Sequence, residues 1–272
     1  MNMLEVNHLK VWDSRTHHPI IHGSSFQVES GKCLAIIGES GSGKSVTCRS
    51  VIRLNSPSLA SSGDIFFQGE NLTDLSDQDM RKRRGKQIGM IVQNGMRAFD
   101  PSCVVGVHFK ETLKTHYGWS KSETERNMSR AMEKVALRNP LDLMNRYPFQ
   151  LSGGMLQRMM IALTLVLEPD LIIADEPTTA LDTITQFEVV EQLRLLRERL
   201  DCSMLFISHD LGVVKKIADD VLVMNQGKIV ERGAVQAVFE HPSHPHTQFL
   251  VSTRMELASH FKQIMEEDDA PC

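Results

Sequence analysis

Two short stretches carry residue types able to handle a phosphate ester. The first is the run Gly38, Glu39, Ser40, Gly41, Ser42, Gly43, Lys44 and Ser45, which fits G-x-x-x-x-G-K-[ST]. Its glycines let successive backbone N–H groups turn inward on an anion, and a helix starting there adds its positive end. Lys44 has the reach for β and γ phosphates, and the Ser45 hydroxyl is a ligand for Mg²⁺. The second is LIIADEP, residues 171–177, an apolar run closing on two acids. If the run is a strand, Asp175 stands at the sheet edge where it can hold Mg²⁺ through water. Glu176 is then the natural general base for an attacking water. Alone, two acids at a strand end read as a solvated loop; beside a phosphate loop they read as a hydrolysis site.

The elements needed to position these residues are legible. CLAIIG from Cys33 is short, continuous and apolar, as a buried parallel strand should be, and a helix through Leu54 is expected after Ser45. Alternation over Leu4, Val6, Leu9 and Val11 predicts a strand ending near Trp12; residues 25–29, DIFFQG from Asp64 and KQIGMIVQ from Lys86 read as further strands. SPSLASSG, residues 56–63, reads as a loop. From 95 to 165 the texture turns helical, with a Ser120–Glu123 capping box opening a helix to about Leu137. LIIAD, TITQFEVVEQLRLLRERL, SMLFIS and LGVVKKIA then restore strand–helix alternation, and VLVMNQGKIVE reads as a closing hairpin.

Length and composition limit the alternatives. The 272 residues suit one large domain or two joined ones, and 30 basic against 34 acidic residues give a net charge of −4. No global basic field exists to hold nucleic acid. Five scattered cysteines without a C-x-x-C pair read as free thiols of a reducing compartment. The N-terminus lacks a secretory apolar core, and no stretch reaches the roughly 20 apolar residues of a membrane span. Arg81 to Lys86 (RKRRGK) reads as a solvated face, and the methionines of the helical stretch, Met155, Met159 and Met160 among them, as core filler.

With these elements in order, the chain resembles the ATP-binding cassette (ABC) ATPases over about residues 3–260. LSGGM, residues 151–155, is similar to their signature motif and lies about twenty residues before LIIADEP. Gln93 resembles the Q-loop glutamine, Ala180-Leu181-Asp182 the D-loop, and His209 the switch histidine. Trp12 falls where the family places an aromatic to stack on adenine. The resemblance implies an α/β fold: a P-loop NTPase (RecA-like) core with an antiparallel β subdomain and an inserted α-helical subdomain. The implied division is core over 1–94 and 166–240, helical subdomain over 95–165, and a C-terminal tail over 241–272. It also implies cofactors ATP and Mg²⁺. Two cassettes would close head to tail, with Ser152, Gly153 and Gly154 of one binding the γ-phosphate held by the other. Gln93 would touch Mg²⁺ and the attacking water, Asp182 would belong to the nucleotide-binding set, and His209 would contact the γ-phosphate and help orient the water. Gly95 departs from the proline common two places after that glutamine, which predicts a looser turn. Met155 replaces the commoner glutamine after Ser-Gly-Gly.

A bare cassette resembles an importer subunit. GESGSGKS, DEPTTALD, FISHDLGVV and the tail HPSHPHTQFLVS are similar to the oligopeptide/dipeptide/nickel importer group, and LSGGMLQRMMIA with LIIADEPTT most resembles its nickel-importing members. Opine-type metallophore importers use similar subunits, and nothing in an ATPase site selects the solute. The implied partners are a second ABC ATPase subunit, generally a different chain, two integral membrane permease subunits and an extracytoplasmic solute-binding protein. The implied place is the cytoplasmic face of the cell membrane, as a peripheral protein. His241, His244 and His246 suit Ni²⁺ chemically, but Pro242 and Pro245 break helical ligand spacing, so the tail reads as the group's common pattern. A nucleic-acid clamp would need a second cassette or a long coiled insertion, and a GTPase an N-K-x-D guanine reader. The chain has neither.

Overall fold

The computed structural model describes residues 1–253 except Asn94 and Ala180, and the side chains of all of these but Arg97, Thr183 and Ile184. The tail's residues 254–272, with Cys272 and the acidic stretch 266–269, lie outside the described residues, as does the first residue of the D-loop.

Strands β1 (Asn2–Asp13), β2 (Pro19–Glu29), β4 (Leu59–Phe67) and β5 (Glu70–Asn71) form an antiparallel sheet in the order β2-β1-β4-β5. Strands β3 (Cys33–Gly38), β6 (Ile88–Ile91), β7 (Leu171–Asp175), β8 (Ser203–Ile207), β9 (Asp220–Asn225) and β10 (Lys228–Ala234) form the second sheet, ordered β10-β9-β3-β8-β7-β6. All its pairings are parallel except the closing β9–β10 hairpin. Every residue of β3, β7 and β8 is buried, which is why their sequences run apolar without alternation. The period of two survives in what each face touches. Cys33, Ala35, Ile37, Ile172, Ala174, Met204 and Phe206 pack toward the helical stretch. Leu34, Ile36, Leu171, Ile173, Leu205 and Ile207 pack toward the antiparallel sheet.

The helical stretch contains α3 (Gly95–Ala98), α4 (Val105–Tyr117), α5 (Lys121–Lys134), α6 (Pro140–Met144) and α7 (Gly153–Leu167). Ser120 and Glu123 form the expected capping box on α5, satisfying two N-terminal donors reciprocally. Met159 and Met160 of α7 are core, and Met155 packs against it. The core face of α7 also lies against α8 (Thr183–Leu200). Helix α1 (Lys44–Val51) follows the phosphate loop and stops a turn short of Leu54. Helices α2 (Asp77–Arg83), α9 (Leu211–Ile217) and α10 (Val235–Glu240) complete the numbered elements. Among the described residues, no helix is long and apolar enough to cross a membrane.

Two sequence expectations are corrected. Residues 59–63 are strand, not loop: Leu59 to Ser62 pair with Asp13 to Lys10 of β1. Small side chains conceal a strand whose pairing is backbone work, and a register shift between Asn7 and Lys10 interrupts its alternation. The basic run 81–86 is only partly solvated. Arg83 pairs with Glu70, and Arg84 donates to the carbonyls of Ile52 (2.7 Å) and Arg53 (3.0 Å), closing the end of α1.

The tail is fastened to β10 through one carboxylate. Glu231 accepts from the N–H of Ser243 (2.8 Å), the Ser243 hydroxyl (2.8 Å) and the N–H of His244 (3.0 Å), just before a helix over 245–253. Burial acts to raise this carboxyl, but the donors outweigh it and hold it at about 2, below the ordinary 4.5. A depressed carboxylate contributes its stability above the unfolded value and loses it as pH falls toward the folded one. The stability difference between wild type and Glu231→Gln should therefore be full above pH 4.5 and shrink between 4.5 and about 2. Urea unfolding across that range checks this; a difference that does not change with pH would remove the anchoring role.

Candidate active site

The phosphate loop is built as its glycines require. Gly38 ends β3 with φ +150°, and a Cβ there would lie 2.2 Å from the Met224 carbonyl; Gly43 has φ +103° and abuts Ile21. On Gly41 nothing lies within 4 Å of an added Cβ, so there the φ of +81°, and not crowding, is what calls for glycine. The buried Lys44 ammonium turns back onto the carbonyls of Gly38 (3.0 Å) and Glu39 (2.8 Å). Phosphate oxygens arriving in the loop offer stronger, charge-assisted partners for the same group.

Across the sheet, β3 and β7 are separated only by β8, so their C-terminal ends open on one edge. There the Ser45 hydroxyl donates to Asp175 Oδ1 at 2.7 Å, and Arg49 of α1 stands 3.6 Å from Oδ2. The Asp175 side chain is 1% exposed. Burial raises its carboxyl above the usual range, opposed by the Ser45 hydrogen bond and the Arg49 charge. A hydroxyl and a carboxylate side by side at a phosphate loop are a hard-oxygen set fitted to Mg²⁺.

The next residue gathers the remaining polar groups. Glu176 has φ +47° and donates its N–H to the Ile207 carbonyl at 3.1 Å. Its Oε2 accepts from Gln93 Nε2 (2.8 Å) and the Thr179 hydroxyl (3.0 Å), and His209 Nδ1 lies 3.6 Å away. A glutamine after β6, an acid after β7 and a histidine after β8 thus meet at one oxygen. Asp210 caps α9 and is itself tied to α8 by Gln186 (2.9 Å), which fixes the segment carrying His209.

Ser152, Gly153 and Gly154 open α7, with the Ser152 hydroxyl accepting from Met155 N–H at 3.2 Å. Their close neighbours are on the D-loop side: Leu181 beside Gly153, and Thr185 only 2.4 Å from a Cβ placed on Gly154. Asp182 caps α8 by accepting from Thr185 N–H (3.0 Å) and its hydroxyl (2.7 Å). This array places glycine backbone at the start of a helix, where the first N–H groups lack intrahelical partners.

The sequence of residues 21–179 matches the family described as ABC transporter. The chain belongs to the ABC transporter family. It is 47% identical over 268 residues to the metal-staphylopine import system ATP-binding protein CntD of Staphylococcus aureus (strain NCTC 8325 / PS 47), covering 98% of this chain and 99% of that one. It is 42% identical to the oligopeptide transport ATP-binding protein OppD of Bacillus subtilis (strain 168), over 88% of this chain and 67% of that one. The fold matches the dimeric post-hydrolysis state of the ATP-binding cassette MJ0796 bound to ADP and Pi, with TM-score 0.75 and 24% identity over 86% of this chain and 99% of that one. It also matches cbiO1 from Clostridium perfringens, part of the transporter complex cbiONQ, with TM-score 0.73 and 24% identity over 96% and 99%. The fold is therefore the ABC cassette.

In this ABC cassette Trp12 is half-buried at the end of β1, opposite Pro19, and its neighbour Val11 pairs with the Ile21 that packs on Gly43. The end of the β1–β2 pair that carries Trp12 is thus the end that reaches the phosphate loop. Gly95 does not act as a loosener: it is buried, and a Cβ there would lie 2.9 Å from Leu156 and 3.1 Å from Gln157 N. Glycine permits α3 to press directly on α7. The tail histidines do not gather a metal site: among the described residues no group of three His, Cys, Asp or Glu is arranged to hold an ion. His244 Nδ1 instead accepts from His246 N–H at 3.1 Å.

Two residues escape sequence reasoning. Arg49 carries no motif; its only signal is a position one turn past Ser45 on the same helix. Thr179 sits inside DEPTT, three residues after Glu176, where a turn places its hydroxyl on the carboxylate. A hydrogen bond to a charged group contributes about 1.5–3 kcal/mol. Thr179→Val should lower the ATP turnover rate by about tenfold or more with ATP affinity nearly unchanged, and Thr179→Ser should restore it. Steady-state kinetics on both variants check this; an unaltered rate in Thr179→Val would remove the contact from catalysis.

Proposed function

We propose that the chain is the ATP-hydrolysing, energy-coupling subunit of an ABC importer whose cargo is a divalent metal, nickel among the candidates, carried as a chelate. The observation that carries the ATPase reading is the meeting of Gln93, Thr179 and His209 on Glu176 beside the Ser45–Asp175 pair. In this reading the phosphate-loop amides and Lys44 hold the β and γ phosphates of ATP. Ser45, Asp175 and Gln93 would hold Mg²⁺, which would offset phosphate charge. Glu176 takes the proton of the attacking water, while Gln93, Thr179 and His209 fix the carboxylate and the water it meets. Trp12 supports the adenine.

The similarity of LSGGM to the family's signature supports a role for Ser152, Gly153 and Gly154, at the start of α7, on ATP held by a second cassette. The second cassette is a different chain, and two integral membrane permease subunits receive the motion. An extracytoplasmic solute-binding protein delivers cargo to them, and this subunit works peripherally on the cytoplasmic face of the cell membrane. Exposed apolar side chains on and beside the helical stretch, Met96, Leu141, Tyr147 and Phe149, support docking of a membrane partner there.

The cargo reading rests on similarity. The chain aligns end to end with a metal-staphylopine import protein, whereas it spans two thirds of the oligopeptide relative. A second reading, di- or oligopeptide import, is favoured by the 42% identity to that relative. Uptake in a host lacking its own nickel and dipeptide importers separates them. The host would carry this chain with its neighbouring permease genes and receive labelled nickel, free or chelated by an opine-type metallophore, or a labelled dipeptide. Metal uptake that disappears in Lys44→Ala is expected. Dipeptide uptake that disappears instead would overturn the metal reading and leave the ATPase intact.

A further inference from the structure

Strands β2 and β10 are edge strands of different sheets, and a cleft of about 390 Å³ opens between them. His22, Ser24 and Ser25 line one wall, and Lys228, Ile229 and Arg232 the other; no carboxylate contributes. His22, Lys228 and Arg232 are exposed, and among the described residues neither Lys228 nor Arg232 joins an ion pair or a side-chain hydrogen bond. Arg232 also lines an adjoining cleft with Glu29 and Asp220, yet pairs with neither. Ser24 is 5% exposed, and its hydroxyl has no hydrogen-bond partner. Two cations without ion-pair partners among the described residues line a cleft whose walls carry no carboxylate, and an anion is the ligand that such a lining favours. The guanidinium of Arg232 offers a planar fork suited to phosphate, with Lys228 as a point charge beside it.

The wall of this cleft is joined to the phosphate loop. His22 N–H donates to the Gly227 carbonyl (3.0 Å), and Gly227 N–H donates to the Ser42 carbonyl (3.0 Å). A Cβ on Gly227 would lie 2.0 Å from the Ile20 carbonyl, so the hairpin turn is seated tightly between the two. We propose that the β2–β10 cleft is a second anion site, separate from the phosphate loop, that takes a phosphate-bearing group of a small molecule or a lipid.

Isothermal titration of the full chain with inorganic pyrophosphate tests this, with ADP present in excess to fill the phosphate loop. Vesicle flotation with phosphatidic acid against phosphatidylcholine forms the second arm. One pyrophosphate should bind, and Lys228→Ala with Arg232→Ala should weaken it by about tenfold or more, since two charge-assisted contacts are lost. Lys44→Ala should leave it in place. Both cleft side chains are exposed, and matching circular dichroism would confirm that the double variant folds; Arg232→Glu should weaken binding at least as far. Binding to phosphatidic-acid vesicles alone, lost in the double variant, would assign the site to a lipid phosphate. Absence of binding in both arms, binding unchanged in the double variant, or binding lost in Lys44→Ala would overturn the proposal.

Discussion

The hydrogen bond from Ser45 to Asp175 is the constraint on which the rest of the site depends. It joins the first turn of α1 to the end of β7 across an intervening strand, at 2.7 Å. A carboxylate as buried as Asp175 is costly unless satisfied, and here a hydroxyl and the Arg49 charge satisfy it. Both partners are placed by backbone and not by side-chain reach. β3 and β7 are each registered against β8, Ile36 with Ile207 and Asp175 with the same Ile207. Asp175 therefore stands level with Ile36, and β3 continues two residues further to Gly38 before the phosphate loop begins. A shift of one residue in either ladder would separate hydroxyl from carboxylate and exchange the two packed faces of the strand.

The second constraint is the backbone at Glu176. A non-glycine residue in the left-handed region costs about 1–3 kcal/mol, and it persists where the surroundings over-determine it. Here the Ile207 carbonyl holds its N–H, and the Thr179 N–H closes a turn on its carbonyl at 3.2 Å. The turn aims the carboxylate back over the sheet edge, where glutamine, threonine and histidine from separate loops reach one oxygen. Strain at this position is thus matched by a local turn closed by Thr179 and by contacts from Gln93, Ile207 and His209, which are distant in sequence.

Much of this architecture is legible in the amino-acid sequence. Gly38 to Ser45 and Leu171 to Glu176 stand out because phosphate binding demands both residue type and spacing, and buried strands demand unbroken apolar runs. Ser120, with Glu123 three residues on, marks a helix start because capping is local. Contacts made across distance leave no such mark. Arg84 reads as one of six basic or turn residues, yet it closes the end of α1 from 31 residues away. Residues 59–62 read as a loop because serines hide a strand whose pairing is supplied by β1. Gly95 reads as freedom, whereas its missing Cβ is an allowance for Leu156. In each case the decisive partner belongs to another element, and periodicity within a window cannot report it.

Glu176 is thus cast as the base, and its neighbours as the fixtures that aim it. The measurement that tests this most directly is ATP turnover by Glu176→Gln in the assembled transporter, with ATP binding followed on the same sample. The substitution keeps the size of the side chain and one acceptor oxygen, but removes the negative charge and with it the ability to take a proton. The predicted result is undiminished ATP binding with turnover lowered by about 10²-fold or more, the range that general-base catalysis commands. Turnover at the wild-type rate with ATP bound would contradict this role and move the base elsewhere.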